Sequence, residues 1–200
     1  MRSEIVSCEQ IIWINARFLT RPITGVERVA REVISAMVCH HTVQQDIWSA
    51  CGTPVRFVLI APKTPEKLIN PWPQLELVQA GSFQGHAWEQ LDLPRLTGGQ
   101  YLLNLCNTGP IFKRRQWTFL HDAQTFAIPH NFTRGMRYWY RLLFWSTARF
   151  SKGVVTNSFF SAAQLQHYVG VHAERLIVAH LVADHVGRIA PDISDPLRSL

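Results

Sequence analysis

The hydrophobic pattern near the start of the chain predicts a strand, a turn and a helix. Residues 11–14 form a continuous apolar run that is short enough for a buried strand. A loop containing Pro22 and Gly25 follows, and apolar residues then recur at helical spacing through residues 26–38. A glycine turn at the start of a helix can present free backbone N–H groups to an anion. This stretch therefore predicts an anion-binding turn above a sheet.

Similar short apolar runs alternate with helical patterns along the rest of the chain. The pattern predicts further strands over residues 55–61, 75–78, 101–105, 116–120, 153–156 and 175–179. It predicts helices within residues 85–96, stopped near Pro94, and over residues 133–150 and 158–169. The strands lack polar alternation, which is typical of strands covered on both faces. We therefore expect an α/β fold, a Rossmann-like parallel sheet with helices on both faces.

Polar residues stand at the ends of several predicted strands, where ligands bind in open parallel sheets. His121 and Asp122 follow one such strand, so the imidazole can bond a substrate hydroxyl while the carboxylate orients it. A purely structural histidine is the competing interpretation. Residues 15–21, 104–107 and 157–158 occupy equivalent positions.

The helix start at Thr24 and Gly25 has two interpretations that do not exclude each other. Gly25 allows a phosphate to approach the backbone closely. Thr24 and Glu27 also fit the spacing of a capping box, in which both side chains satisfy backbone donors at a helix start.

The helix predicted over residues 133–150 is rich in arginine and aromatic residues. Arg134, Arg137 and Arg141 are spaced for one face, and Trp139 lies among them. Such a helix suits a membrane interface, and it equally suits a half-buried helix whose arginine stems cover core residues.

Composition narrows the class of partner. The 200 residues are 47% hydrophobic and 17% charged, as in a folded globular chain, and the net charge is +6. Positive charge favours anionic partners, but no dense Lys/Arg run is present, and we expect no nucleic-acid partner. No cysteine belongs to a Cys-x-x-Cys pair and no histidine pair has convincing ligand spacing, so we expect no metal site. The start of the chain lacks a signal-peptide pattern, which predicts a cytoplasmic protein.

Taken together, the segments resemble the amino-terminal half of the large retaining nucleotide-sugar glycosyltransferase family, often called group 1, which has the two-domain GT-B fold. The matching pieces are Asn15-Ala-Arg-Phe-Leu with Thr24-Gly-Val-Glu-Arg-Val-Ala-Arg-Glu, Trp88-Glu-Gln-Leu-Asp-Leu-Pro, Leu103-Asn-Leu-Cys-Asn-Thr-Gly-Pro, His121-Asp, Arg137-Tyr-Trp-Tyr-Arg-Leu-Leu, Thr156-Asn-Ser-Phe-Phe-Ser, and Arg175-Leu-Ile-Val followed by Ala183-Asp. Their order and spacing across residues 11–185 carry the resemblance.

The resemblance implies an acceptor-side domain that transfers a sugar from a nucleotide diphosphate to a hydroxyl, without a cofactor or bound metal. It implies catalytic positions at His121 and Asp122. It implies substrate or diphosphate contacts at Gly25, Arg21, Asn107 and Ser158. It also implies membrane or acceptor contacts at Arg134, Arg137, Arg141 and Trp139. Many relatives build surface polysaccharides or glycolipids on lipid-linked acceptors at the inner face of a bacterial membrane, so peripheral contact there is expected.

The chain also departs from this family. We expect residues 1–185 to form the Rossmann-like domain and residues 186–200 to be the start of a linker or a truncated tail, with the donor-binding domain absent. The expected activity is therefore that of a glycosyltransferase inactive alone, either truncated or split and paired with a separate donor-domain chain. The alternative is a non-catalytic module that binds a glycolipid or membrane surface. A dinucleotide-binding domain is disfavoured because the first turn lacks Gly-x-Gly-x-x-Gly.

Overall fold

The computed structural model describes residues 10–43 and 55–180, which contain one parallel β-sheet. Its strands are β1 (Gln10–Asn15), β2 (Val55–Ala61), β3 (Glu76–Gln79), β4 (Tyr101–Asn104), β5 (Gln116–Phe119), β6 (Gly153–Thr156) and β7 (Leu176–Val178). The domain end predicted at residue 185 and the tail predicted over residues 186–200 lie outside the described residues.

Helices connect most of these strands, whereas loops join β2 to β3 and β4 to β5. The helices are α1 (Gly25–Val43), α2 (Gly85–Ala87, a π-helical turn Trp88–Asp92 and Leu93–Thr97), α3 (Gln124–Ala127), α4 (Arg134–Phe150) and α5 (Phe159–Val169). Short 3₁₀ turns lie at Arg17–Thr20, Pro129–Asn131 and Ala173–Arg175. Thr133 and Ser158 cap α4 and α5, each accepting a backbone N–H from the first turn of its helix.

The strand order is β3-β2-β1-β4-β5-β6-β7, with all neighbours parallel. The chain builds outward from β1 on one side, then returns to place β4 against the other side of β1. A crevice forms beyond the carboxyl ends of the strands at such a switch point, where connections leave in opposite directions. The predicted Rossmann-like α/β fold is confirmed.

Both faces of the sheet carry core residues. Neighbouring residues of β2 are both fully buried, Leu59 in the cluster with α1 and Ile60 in the cluster with α2. On α1, Ala30 and Ile34 lie one turn apart and are also fully buried. Because successive strand residues point to opposite faces, helices must cover the sheet from both sides.

Most predicted boundaries agree with the structure, but the stop near Pro94 is wrong. The helix continues through Pro94 to Thr97. The Leu93 N–H donates to the Trp88 carbonyl, the wider bonding pattern of a π-helical turn. Proline lacks an N–H, and it is tolerated here because Pro94 stands at the start of the following helical piece. In the described part of the chain, no helix combines the length and apolar character needed to cross a bilayer.

Candidate functional site

A network of buried polar side chains lies beneath the carboxyl edge of the sheet at the switch point. Asn15, the last residue of β1, donates from Nδ2 to Glu89 Oε1 at 3.0 Å and to Asn104 Oδ1 at 3.1 Å. Asn104, the last residue of β4, donates in turn to Gln116 Oε1 at 2.9 Å and to Thr118 Oγ1 at 3.3 Å. The network joins β1, β4, β5 and α2, so it fixes the strand ends relative to one another.

An ion pair between Arg17 and Glu89 belongs to this network. The 3₁₀ turn after β1 directs Arg17 inward, and its Nη2 lies 3.2 Å from Glu89 Oε2 and 3.1 Å from Thr108 Oγ1. Thr108 Oγ1 donates to Glu89 Oε1 at 2.8 Å, and His86 Nδ1 lies 3.3 Å from Oε2. Burial of Glu89 opposes ionisation, but these hydrogen bonds and the Arg17 charge outweigh it, so the pKa of Glu89 lies below its usual value. Glu89 therefore carries a buried negative charge.

A second ion pair lies nearer the surface, at the start of α1. Arg21 Nη2 lies 2.9 Å from Glu27 Oε1, and Glu27 Oε2 accepts bonds from the Thr24 N–H and hydroxyl. Burial of Glu27 opposes ionisation, yet the Thr24 bonds and the Arg21 charge leave its pKa below the usual value. Glu27 thus caps the helix start as the capping-box spacing predicts, although the Thr24 hydroxyl donates to Glu27.

Gly25 begins α1 beside this pair and is exposed. A Cβ built at Gly25 would meet no atom within 4 Å. The backbone at this turn is therefore open to a ligand, as an anion-binding turn requires.

His121 is buried at the carboxyl end of β5. Its ring stacks on Phe119 with centroids 4.5 Å apart, and its Nε2 lies 3.0 Å from the Leu105 carbonyl oxygen. A carbonyl oxygen only accepts, so Nε2 carries the proton in this arrangement and Nδ1 carries a lone pair. Burial lowers the pKa of His121, although the Leu105 bond and the Asp122 charge act in the opposite direction. The imidazole is therefore held neutral, and its Nδ1 can accept a hydrogen bond from a hydroxyl.

The loop after β4 positions this histidine. Asn107 has a positive φ of 60°, and its Oδ1 accepts the His121 backbone N–H at 2.8 Å. The Asn107 N–H donates to the Phe119 carbonyl at 3.1 Å, which ties the two strand ends together. Asp122 Oδ1 accepts the N–H of Gln124, the first residue of α3, at 3.0 Å. Both predicted site residues lie beside His121 while serving the local backbone.

Helix α4 contributes a wall to the same region. Burial raises the pKa of the Tyr140 phenol, while the charges of Arg21 and Arg17 lower it and those of Glu89 and Asp122 add to the rise. The charges of Arg21, Arg17, Glu89 and Asp122 therefore act on this phenol. Half-buried Trp139 places its ring 5.4 Å from that of His86, and its indole N–H is buried with no hydrogen-bond partner among residues 10–43 and 55–180.

The structure divides the predicted residues into three groups. Arg21, Gly25, Asn107, His121 and Asp122 lie at the carboxyl edge of β1, β4 and β5. Ser158 lies at the end of β6 and accepts the Ser161 N–H at 3.1 Å as the cap of α5. On α4, Arg134 and Arg141 are exposed and Arg137 is half-buried, whereas Trp139 packs inward. The four residues of α4 that were predicted to contact a membrane or acceptor therefore do not share one face of the helix.

Arg17, Glu89 and Tyr140 are not among the site residues predicted from the sequence. Arg17 lies within residues 15–21 at the end of a predicted strand, and this position was the sequence feature that could have indicated its role. Glu89 follows Trp88 in an amphipathic segment, where a glutamate ordinarily faces water. Within the described residues, no three His, Cys, Asp or Glu side chains are arranged to hold a metal ion.

No protein-family model matches this chain, and no curated protein matches it.

Proposed function

We propose that this chain is the acceptor-side domain of a retaining, group 1-like glycosyltransferase. It would transfer a sugar from a nucleotide diphosphate to a hydroxyl acceptor in surface polysaccharide or glycolipid synthesis. The observation that carries the proposal is the neutral His121 at the switch point, with Arg21 and the open Gly25 turn at the same edge. The ordered motif resemblance supports the same reaction class.

The residues have separate roles in this proposal. The N–H groups at Gly25 and the Arg21 guanidinium would stabilise negative charge on the departing diphosphate. His121 Nδ1 would accept a hydrogen bond from a substrate hydroxyl. A second GT-B domain, on this polypeptide or on a separate chain, would supply the remaining donor contacts.

The buried network would hold these groups in place. Asn15, Glu89 and Asn104 connect the ends of β1 and β4, and Asn107 fixes the backbone of His121. Catalytic geometry tolerates little misplacement, so a rigid support below the reacting groups is expected for a transferase.

A deletion-and-complementation experiment tests the proposal in the native host, where any partner domain is present. We expect deletion to remove one sugar from a surface glycan or a lipid-linked intermediate, measured by mass spectrometry. The wild-type gene should restore it, whereas His121→Ala and Gly25→Val should not. Gly135→Val is the matched control, because Gly135 is also exposed with no atom within 4 Å of a Cβ. Unchanged glycans after deletion would refute the proposal.

A membrane-surface module is the second candidate, and the outer face of α4 favours it. Tyr138, Leu142 and Trp145 are exposed at successive turns, by 72%, 43% and 53%. Arg141 and Arg149 lie on the same helix and are exposed too. Aromatic rings bordered by arginines suit the headgroup region of an anionic bilayer.

Vesicle co-sedimentation tests the membrane-surface module. Because the transferase is also expected to contact a membrane, vesicle binding together with unchanged glycans in the deletion strain would separate the module from the transferase. We expect binding to vesicles with 30 mol% phosphatidylglycerol, and loss of binding in Tyr138→Ser/Trp145→Ser. Phe159→Ser is the control because Phe159 is 72% exposed on a different helix. Binding that ignores lipid charge would contradict an interfacial role for the arginines.

A further inference from the structure

A concave region that includes Arg21 lies between the loop after β1 and the loop after β2. It is an open cleft of about 750 Å³, which is within the range of small-ligand sites. Its walls are formed by residues of both loops and by Arg31 of α1. We call it the β1–β2 cleft.

Positive charge predominates in the β1–β2 cleft. Arg21, Arg31 and Lys67 line it, against the single carboxylate of Glu66. Arg21 already pairs with Glu27 at 2.9 Å. Arg31 and Lys67 form no ion pair within residues 10–43 and 55–180, so their charge is left for a ligand.

Arg31 provides the most specific signal. It projects from α1 and is half-buried. Its Nε, like those of Arg17 and Arg21, is shielded from solvent without a hydrogen-bond partner in the described part of the chain. The Arg31 guanidinium forms no ion pair and no side-chain hydrogen bond within residues 10–43 and 55–180, so it can form charge-assisted bonds to an anion in the cleft. The guanidinium fork matches a carboxylate or phosphate, which can accept from two of its nitrogens at once.

The rest of the cleft suits a saccharide better than a bare ion. Leu19, Leu68 and Ile69 supply apolar surface, and Ile69 is 87% exposed. Sugar rings have apolar C–H faces that pack on such surface, while Glu66 can accept bonds from hydroxyl groups. The threonine hydroxyl protons are already donated, by Thr20 to the Arg17 carbonyl and by Thr64 to the Glu66 carbonyl.

We propose that the β1–β2 cleft binds an acidic saccharide, with Arg31 and Lys67 contacting its carboxylate or phosphate group. The assignment rests on the proposed function in one respect, because it names the acceptor class of that transferase. Arg21 lines the cleft and also borders the strand-end site. A saccharide held in the cleft would therefore extend past Arg21 toward Gly25.

Calorimetric titration of the full chain tests whether the β1–β2 cleft binds an acidic saccharide. The probes are a hyaluronan tetrasaccharide, which carries carboxylates, its carboxyl-reduced neutral form, glucose 6-phosphate and glucose. We expect an acidic probe to bind at least tenfold more tightly than its neutral counterpart, and binding to weaken as salt is raised. The two acidic probes show which anionic group the cleft prefers. Binding of neither, or equal binding of an acid and its neutral counterpart, would overturn the proposal.

Matched variants locate the binding. Arg31→Gln and Lys67→Gln should each weaken the acidic probe about tenfold, as expected for loss of one charge-assisted bond, without affecting the neutral form. Arg28→Gln is the control, because this substitution removes the same charge from an exposed position of α1 outside the cleft. Equal weakening by Arg28→Gln would show non-specific attraction and overturn the assignment. Thermal melts establish that each variant is folded.

The two proposals can fail separately. Arg31-dependent binding of acidic saccharides with unchanged glycans in the deletion strain would support the cleft assignment and refute the transferase. Loss of a sugar in the deletion strain without any preference for acidic probes would support the transferase and refute the cleft assignment.

Discussion

Two arginines in the loop after β1 each pair with a glutamate, but the two pairs lie in different environments. The side chains of Arg17 and Glu89 are 6% and 1% exposed, whereas those of Arg21 and Glu27 are 35% and 7% exposed. Their separations are similar, at 3.2 Å and 2.9 Å. The inner pair is surrounded by further polar partners, and the outer pair borders open space.

This difference in solvent exposure indicates that the two pairs have different roles. A buried pair cannot exchange its partner for water, so removing one member leaves a costly unpaired charge. A pair at a cleft edge can exchange partners, because solvent or a ligand anion can replace the lost contact. The Arg17–Glu89 pair therefore maintains structure, while Arg21 can turn from Glu27 toward a ligand. In a third pair, Arg56 and Glu76, the side chains are 48% and 56% exposed, so this pair lies at the surface.

The largest expected effect comes from Glu89→Gln. The substitution keeps the side-chain volume but leaves the Arg17 guanidinium buried without its counter-charge. We expect the free energy of unfolding to fall by about 3 kcal/mol, measured by urea denaturation. The double variant Arg17→Met/Glu89→Gln should recover part of this loss, since it removes the unpaired charge. A loss below about 1 kcal/mol would contradict the structural role.

Glu27→Gln should have a smaller effect. It weakens the helix cap at Thr24 and frees Arg21, whose guanidinium can then be solvated at the cleft edge. We expect a loss of about 1 kcal/mol in the free energy of unfolding by the same measurement. The variant should also bind inorganic pyrophosphate more tightly than wild type, because a competing carboxylate is gone. Weaker pyrophosphate binding would show that Glu27 orients Arg21 for its ligand.

The pH dependence of stability tests the neutral state of His121. Its pKa in the folded chain lies below the ordinary value of 6.5, so the unfolded chain binds more protons as the pH falls below 6.5. Stability from this residue is therefore complete above pH 6.5 and is lost toward the lower folded pKa. Between pH 7.5 and 5.5, wild type should lose stability more steeply than His121→Gln. Equal slopes would mean that His121 titrates normally.

The smallest effect is expected for Glu76→Gln. Its partner Arg56 lies 3.6 Å away, and both side chains are about half exposed to solvent. We expect a change below about 0.5 kcal/mol in the free energy of unfolding. A loss of unfolding free energy as large as that of Glu27→Gln would contradict the proposed relation between the burial of an ion pair and its contribution to stability.

The fold could be predicted because its signals are local. The run over residues 55–61 is apolar throughout and is followed by Pro62, so the predicted β2 has the observed bounds. The strand β6 was likewise predicted with its observed bounds. The stop at Pro94 failed because a π-helical turn, which depends on packing of Trp88, has no comparable signature in the sequence.

The candidate site could be predicted only in part. Strand ends indicated where to look and gave His121, Asn107 and Arg21. The partner of Arg17 could not be foreseen, since Glu89 lies on a separate element and is buried through contacts between distant segments. The β1–β2 cleft likewise forms from two loops that are adjacent in space but separated in the chain.

The contacts of Asn15 also have a consequence for the order of folding. Its partners Glu89 and Asn104 lie 74 and 89 residues further along the chain. During synthesis at about 5–20 residues per second, β1 must wait roughly 5–20 seconds for β4 to be made. Until then Asn15 lacks Asn104, and before Glu89 is made it has neither partner, so early fragments gain nothing from the network. The site is therefore completed late, when closure of these long loops makes folding cooperative across the sheet.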